Sequence, residues 1–406
     1  MLSVKILISA AEASSDAHGA ALLLALKSAM KSQNGEVDAF GIGGPKLKEA
    51  GLRSVVDARE LLAMGFTEIL GRLPKIFRAL RMVSVAAESE RPDVAVVIDY
   101  PDFHFRLAGR LKRLGIPVIY YIPPKVWVWR KGRITKIREL FARVLCILPF
   151  EKEVYEKANV PVTYVGNPLL DELPLSLTRA EARKKLEIAH DARVLVLMPG
   201  SRPSELKRHV IPMIEAAVRA AEALKTRLTV LMPLPASPDT RDVERLQKKI
   251  SHAAHLDLSK IDLRTTQGNS AVCLVAGDAG LIKSGTSTLE AALLGLPSTV
   301  VYKPGWISQW IFQNLIRYKG PIGLVNLVSG WKPGAAYLAN EIICQDFTTD
   351  SITREAISLL SDEPRRQKLL AGFQALKNQM LGDAGGIGPS AVCAREIIDL
   401  LRKPAL

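Results

Sequence analysis

What the chain lacks excludes several classes of protein. No apolar run reaches the ~18 residues that a membrane-spanning helix requires. Cysteine is scarce: Cys146, Cys273, Cys344 and Cys393 stand far apart, and none belongs to a CxxC pair. A zinc site or redox dithiol is therefore not expected, and reduced, buried thiols are. There is no full GxGxxG, so a nicotinamide fingerprint is not supported. Helix-turn-helix and RNP-like aromatic motifs, a polybasic tail, low-complexity tracts and short-period repeats are missing as well.

What is present is a 406-residue chain with 48% hydrophobic and 24% charged residues and a formal charge of +14. That length predicts two domains, or three, with a core large enough to need no metal or disulfide. The positive charge suits nucleic acid, an anionic bilayer or a phosphorylated substrate. Its basic residues are spread out among acids, as in Pro203–Val210, which makes nucleic acid the weakest of the three. The opening Met1–Asp16 looks like a signal peptide, but its apolar run, Val4–Ala11, is short and meets Glu12 and Asp16. It is read as a first buried strand, and the protein is expected to stay in the cytoplasm.

Short β-branched runs alternate with amphipathic stretches. Strands are predicted at Val4–Ala10, Val94–Ile98, Val118–Ile122 and Val144–Leu148, then at Arg193–Met198, Arg227–Met232, Ala279–Ile282 and Ser298–Tyr302. Helices are predicted at Ala20–Lys31, Ile76–Ser89, Glu205–Lys225, Ser287–Leu294 and Ser351–Leu360. Apolar strands without polar alternation suit parallel sheets covered on both faces, an α/β fold of two doubly wound, Rossmann-type domains. The expected domains are 1–170 and 190–382, joined through Gly166–Ser176. A Gly-rich hinge, Gly382–Ser390, precedes a final helix of about Ala391–Leu401; this 386–402 segment is expected to pack back on the first domain.

In such sheets ligands bind beyond the strand C-termini, so the residues just after each strand matter most. After the first strand comes Ala11–Gly19, where small residues and a helix N-terminus favour an anion or polar group. Glu12 is a candidate functional acid there, while Ser14, Ser15 or Asp16 would cap the helix. Gly41–Leu52 reads as a tight turn into a helix with Pro45 at its start, or as a ligand contact. Asp99 ends a buried strand, where a carboxylate can act as general base toward a hydroxyl; Asp102 suits a helix cap, and His104 reads as a packed or surface histidine. The segment Ala58–Val83 mixes apolar residues, among them Met64, Phe66, Leu70 and Phe77, with Arg72, Lys75, Arg78 and Arg81. That pattern fits an anionic membrane interface or acyl chains, or else a core face and a solvated face. Trp127 and Arg130, within Tyr121–Ile137, could stack on a sugar or neutralise phosphate, or be core aromatics and a basic turn. In the second half, Gly200, Ser201 and Arg202 make a close-approach turn at a helix start, suited to a diphosphate. Ser284, Gly285 and Thr286 form a second such turn, and Ser287 with Glu290 has the spacing of a capping box.

Taken together, these residues resemble the lipid-A-disaccharide synthase family. The matching segments are Ala11–Asp16, Gly41–Pro45, Met64–Pro74, Ile98–His104, Val126–Arg130, Leu148–Glu151, Val165–Asp171, Met198–Pro212, Ser284–Glu290 and Val325–Asn326, in the family's order from about residue 5 to 345. The resemblance implies a GT-B fold with the active site in a cleft and inverting transfer from UDP-2,3-diacylglucosamine to 2,3-diacylglucosamine 1-phosphate, an acceptor of the lipid X type. It implies no metal and no cofactor. Asp99 and Glu12 match functional acids; Gly200, Ser201, Arg202, Ser284–Thr286, Glu290 and Asn326 match the UDP-sugar side; Met64, Phe66, Leu70, Arg72, Phe77, Trp127 and Arg130 are expected to meet the lipid acceptor. An anionic membrane surface, on the inner face of the cytoplasmic membrane, is the other expected partner, with no nucleic acid and a homodimer left open. Ala11, Ser15, Pro123, Lys125, Asn167, Lys283 and Val325 depart from the family pattern around the ligand loops. Two other readings remain: a UDP-sugar epimerase or other nucleotide-sugar enzyme on the same fold, and a non-catalytic relative that binds membrane or nucleic acid.

Overall fold

A computed structural model of the chain describes residues 2–61, 66–124, 126, 132–234, 244, 248, 250–251, 256–305, 320–332, 334–383 and 386–402. Two compact units result: Met1–Glu172 with Met380–Leu406, and Leu173–Gln379.

The first unit is built on seven parallel strands: β1 (Leu2–Ala10), β2 (Gly35–Gly43), β3 (Arg53–Asp57), β4 (Val94–Ile98), β5 (Val118–Tyr121), β6 (Arg143–Cys146) and β7 (Val162–Tyr164), in the order β3-β2-β1-β4-β5-β6-β7. β4 shows why the sheet is parallel and doubly covered. All five of its side chains are buried, and alternate ones feed different cores. Ala95 and Val97 pack with Leu80, Val83 and Ala87 of helix Phe66–Glu90. Val94, Val96 and Ile98 pack with Leu22, Leu23 and Leu26 of helix Ala13–Lys31.

The same second core takes Val392, Cys393, Ala394, Ile397 and Ile398 from helix Pro389–Arg402. Polar contacts seat that helix. Its Glu396 carboxylate accepts from Arg143 and, at 2.9 Å, from the Thr163 hydroxyl, while the Ser390 N–H donates to Asp171 at 2.8 Å.

The second unit has six parallel strands: β8 (Val194–Met198), β9 (Leu228–Leu234), β10 (Ile261–Gln267), β11 (Ala279–Lys283), β12 (Ser298–Tyr302) and β13 (Glu341–Ile343), in the order β10-β9-β8-β11-β12-β13. Five of the strands in the two sheets, β2, β3, β7, β10 and β13, have no counterpart in the sequence reading. β7 and β13 are three residues long, and β2 opens on the polar Gly35–Asp38. Tertiary pairing makes such segments strands where local pattern does not.

Ile397 is fully buried. Ile397→Ala is expected to destabilise the first unit by about 2–4 kcal/mol, read as a shift of the urea midpoint, because the site sits between two helices and cannot collapse fully.

Candidate functional site

In each sheet the winding direction reverses between the first strand and the strand that returns beside it. Loops leave that switch point in opposite directions and open a crevice at the strand C-termini.

In the first unit the switch lies between β1 and β4, and the residues that follow them are Glu12 and Asp99. Asp99 is half-buried and takes φ +52°, followed by Tyr100 at +45°. Two consecutive non-glycine residues in the left-handed region cost on the order of 1–3 kcal/mol each unless neighbours hold them. Here the Asp99 N–H donates to the Tyr121 carbonyl at 3.1 Å. The Asp99 carbonyl accepts from His104 Nδ1 at 2.5 Å and from the Tyr120 hydroxyl at 3.2 Å. His104 is thus packed in the core, and burial, outweighing its backbone hydrogen bond, lowers its pKa to about 4. Asp102 lies in the first turn of helix Pro101–Arg113, whose N-cap is Tyr100 with no side-chain cap bond. The expected Asp102 cap is not formed; the carboxylate points outward and pairs with Arg133 at 2.6 Å.

Glu12 is the exposed N-cap residue of helix Ala13–Lys31. Its charge reaches Tyr100, whose phenol is raised in pKa by burial first, then by Glu12 and Asp102. The cap expected from Ser14, Ser15 or Asp16 is also corrected. Asp16 is buried and serves another helix, accepting from the N–H groups of Gly44, Lys46 and Leu47 at 2.6, 3.0 and 3.2 Å. A Cβ on Gly44 would lie 2.7 Å from Asp16 Oδ2. The two glycine-bearing sequence motifs are therefore one device: a carboxylate at the start of helix Pro45–Glu49, with the glycine admitting its close approach.

Of the residues expected at the lipid acceptor, Met64, Trp127 and Arg130 lie outside the described residues, as do the side chains of Phe66, Leu70 and Arg72. Phe77 is 48% exposed, with the Arg106 guanidinium 5.5 Å from its ring centroid. Met82 and Val85 are exposed on the same helix, beside exposed Arg78 and Arg81.

In the second unit the switch lies between β8 and β11. A cavity of about 360 Å³ there is lined by Gly200, Ser201, Arg202, Glu205, Lys283 and the Ser284–Ser287 turn, among others. Arg202 is the N-cap of helix Pro203–Ala223. Glu205, in its first turn, accepts from the N–H groups of Ser201 at 3.1 Å and Arg202 at 3.4 Å. Gly200 has φ +115°, and a Cβ there would be 2.5 Å from Glu205 Oε2, so both conformation and space require glycine. Lys283 donates to Glu205 Oε1 at 2.8 Å and lies 5.4 Å from the Tyr302 ring centroid. Burial works to raise the Glu205 pKa, but the Lys283 ammonium and the two N–H groups outweigh it and the pKa is lowered.

The other donor-side residues are less uniformly placed. Ser284 spends its hydroxyl hydrogen on the Ile322 carbonyl at 2.8 Å. The expected Ser287–Glu290 capping box does not form: the helix spans Ser287–Leu293, Thr286 is its N-cap, and no side-chain cap bond is made. Asn326 is fully buried. Its amide nitrogen donates to the Ala339 carbonyl and to Glu341, each at 2.8 Å, and its amide oxygen accepts from the Ala339 N–H at 2.9 Å. Glu341 in turn accepts from the N–H groups of Ile322 and Gly323 at 2.9 Å. Asn326 is thereby linked through Glu341 to the 322–323 main chain, whose Ile322 carbonyl accepts from Ser284. The sequence reading missed Glu205 and the work of Lys283; an acid three residues after Arg202, where the helix begins, was the available signal.

Among the described residues, no group of three or more His, Cys, Asp or Glu could hold a metal ion. The first unit offers a carboxylate just after β4, and the second, by itself, offers a guanidinium and an ammonium at a cavity beside a helix start. Those parts suit proton abstraction from a hydroxyl and the binding of a diphosphate.

Known proteins are similar over nearly the full chain. The family model described as Lipid-A-disaccharide synthetase matches residues 6–381. The chain is 38% identical over 401 residues to Lipid-A-disaccharide synthase of Anaeromyxobacter sp. (strain K), covering 99% of this chain and 98% of the relative. It is 34% identical over 397 residues to the enzyme of that name from Myxococcus xanthus (strain DK1622), covering 98% and 97%. Among solved structures, UDP-GlcNAc 2-epimerase from Neisseria meningitidis bound to UDP-GlcNAc is similar with a TM-score of 0.61 at 13% identity, covering 98% of this chain and 100% of that one. The calicheamicin glycosyltransferase is similar with a TM-score of 0.57 at 15% identity, each chain covered 100%. At such identities these likenesses establish the GT-B fold, and an epimerase neighbour carries no activity over to this chain.

The Lys283–Glu205 pair yields a test with a sign. A carboxyl whose folded pKa is lowered stabilises above its ordinary value of 4.5, and that stability is lost as pH falls through the lowered value. Lys283→Ala should therefore cost the second unit about 1–3 kcal/mol near pH 7. The deficit against the unaltered protein should shrink as the pH is taken below the carboxylate range. Urea unfolding at both pH values measures it; a deficit independent of pH would rule the pair out as its source.

Proposed function

The chain belongs to the lipid-A-disaccharide synthetase family, and from that premise we propose how its residues divide the reaction. It is a UDP-sugar-dependent glycosyltransferase of lipid A biosynthesis. It transfers 2,3-diacylglucosamine from UDP-2,3-diacylglucosamine to 2,3-diacylglucosamine 1-phosphate, giving the β-1,6 disaccharide 1-phosphate and UDP. The observation that carries this is the family match over nearly the full chain, on a fold that ends β4 in a carboxylate and surrounds the β8–β11 switch with cations.

In this reading the Asp99 carboxylate takes the proton of the acceptor 6-hydroxyl. The hydroxyl oxygen then attacks the anomeric carbon from the face opposite UDP. The bond from that carbon to the phosphate oxygen breaks, its electron pair leaves with UDP, and the anomeric configuration inverts. Glu12 is the second acid at the same switch point and serves the acceptor side. Arg202, Lys283 and the Ser284–Thr286 turn offset the negative charge that grows on the departing diphosphate. Because the Ser201 and Arg202 N–H groups already bond to Glu205, the donor depends more on these side chains than on the helix N-terminus.

The first unit is assigned the acceptor and the second the UDP-sugar. Phe77, Met82 and Val85, exposed beside Arg78, Arg81 and Arg106, have the composition of a surface that takes acyl chains and anionic headgroups together. No helix among the described residues is long and apolar enough to cross a membrane, so attachment from the cytoplasmic side at the inner membrane would use such a surface.

The first experiment is UDP release from UDP-2,3-diacylglucosamine with and without 2,3-diacylglucosamine 1-phosphate. Release should require the acceptor and yield a disaccharide; consumption of donor with no acceptor would favour epimerase-like chemistry. Asp99→Asn should keep the fold and lower kcat by roughly 10²–10⁴. Arg202→Ala should raise KM for the donor and lower turnover, and unchanged kinetics would remove Arg202 from the diphosphate site.

A further inference from the structure

Asp99 is carried on a main chain that a free peptide would rarely adopt. It and Tyr100 are consecutive residues with φ of +52° and +45°. The direction of the Asp99 side chain is therefore only as well defined as whatever pins this turn.

Two donors converge on the Asp99 carbonyl. One is the Tyr120 hydroxyl on β5, at 3.2 Å, and the other is His104 Nδ1, at 2.5 Å. A carbonyl can only accept, so Nδ1 carries the hydrogen. His104 is fully buried, and burial lowers its pKa to about 4, which leaves the ring neutral with a bare Nε2 at physiological pH. That nitrogen lies 2.8 Å from the Ser9 hydroxyl, so the hydroxyl donates to it. Ser9 is itself fully buried and sits on β1, three residues before Glu12, paired in register with Val97 of β4. One imidazole thus ties the β1 strand, which leads into Glu12, to the turn that presents Asp99.

We propose that His104 is a positioning residue for the transferase reaction, holding the Asp99 main chain through a tautomer fixed by Ser9 and the Asp99 carbonyl. This rests on the reading of Asp99 as the base. His104 touches no substrate. Its effect is on how often the Asp99 carboxylate stands in line with the acceptor hydroxyl, and a small misplacement of a reacting group is enough to cost about 10²-fold in rate.

The two ring nitrogens can be tested separately. Asparagine can place its amide nitrogen, a donor, where Nδ1 lies, and glutamine can place its amide oxygen, an acceptor, where Nε2 lies. His104→Asn should keep the donor to the Asp99 carbonyl and lose the link to Ser9; His104→Gln should do the reverse. His104→Asn is expected to retain kcat within about threefold, whereas His104→Gln and His104→Leu should lose roughly 10- to 100-fold in kcat with little change in KM for the donor. Melting temperature is recorded for each variant and for Asp99→Asn in parallel. All three His104 variants folded with unaltered kcat, or kcat losses that merely follow the melting temperatures, would overturn the assignment. If Asp99→Asn keeps full turnover, the reading of the base is what has failed; if it is inactive while His104→Gln is fully active, the His104 inference alone falls.

Discussion

A parallel sheet with apolar side chains on both faces must be covered on both, and that requirement decides where polar chemistry can stand in this protein. β4 has no exposed side chain, and the strands beside it contribute to two separate cores. Charged groups are excluded from β4 and stand where the chain leaves it, as Asp99 does, and Lys283 is the last residue of β11. Both halves then obey the same geometry. The winding reverses at β1 and β4 in one unit and at β8 and β11 in the other, and the acids, cations and small residues that matter follow those four strands.

The same exclusion explains what could be read from the amino-acid pattern and what could not. Runs such as Val94–Ile98 and Ser298–Tyr302 announce themselves as buried strands and have those bounds in the structure. β2 and β10 carry polar residues and become strands only through the neighbours they pair with. Residues after strands could be nominated as site candidates from position alone. Their partners could not. Asp16 bonds to N–H groups some 30 residues later, and Lys283 finds Glu205 across two strand ends. Asn326, nominated for the nucleotide, bonds to Ala339 and to Glu341, 13 and 15 residues on. Local propensity speaks for capping and turn formation; it is silent about which distant group completes a hydrogen bond.

Among the described residues, each unit also contains one buried, neutral histidine used in a similar way. His104 donates from Nδ1 to the Asp99 carbonyl and accepts at Nε2 from Ser9. His209 donates from Nδ1 to the Glu205 carbonyl at 2.8 Å and accepts at Nε2 from the Lys303 N–H at 2.9 Å, and burial is again the first cause of its lowered pKa. An imidazole with one donor and one acceptor on opposite sides is a rigid strut between the segments it bonds to, and burial keeps it in that state. Both struts stand beside residues assigned to chemistry or ligand binding, so the rigidity of the loops is supplied from beneath rather than by the loops themselves.

The helix Pro389–Arg402 completes a core that begins with β1. In synthesis on the ribosome, everything from Leu173 to Gln379 emerges before the last piece of the first unit. The second unit can therefore close while the first still shows Leu22, Leu23 and Leu26 without their cover. Such a nascent chain exposes a greasy helix face for the time needed to translate some two hundred residues, on the order of 10–40 s at ordinary elongation rates. During that interval it is a natural client for holding chaperones, and a stop codon only slightly too early would leave a protein whose second half is whole and whose first half never finishes folding.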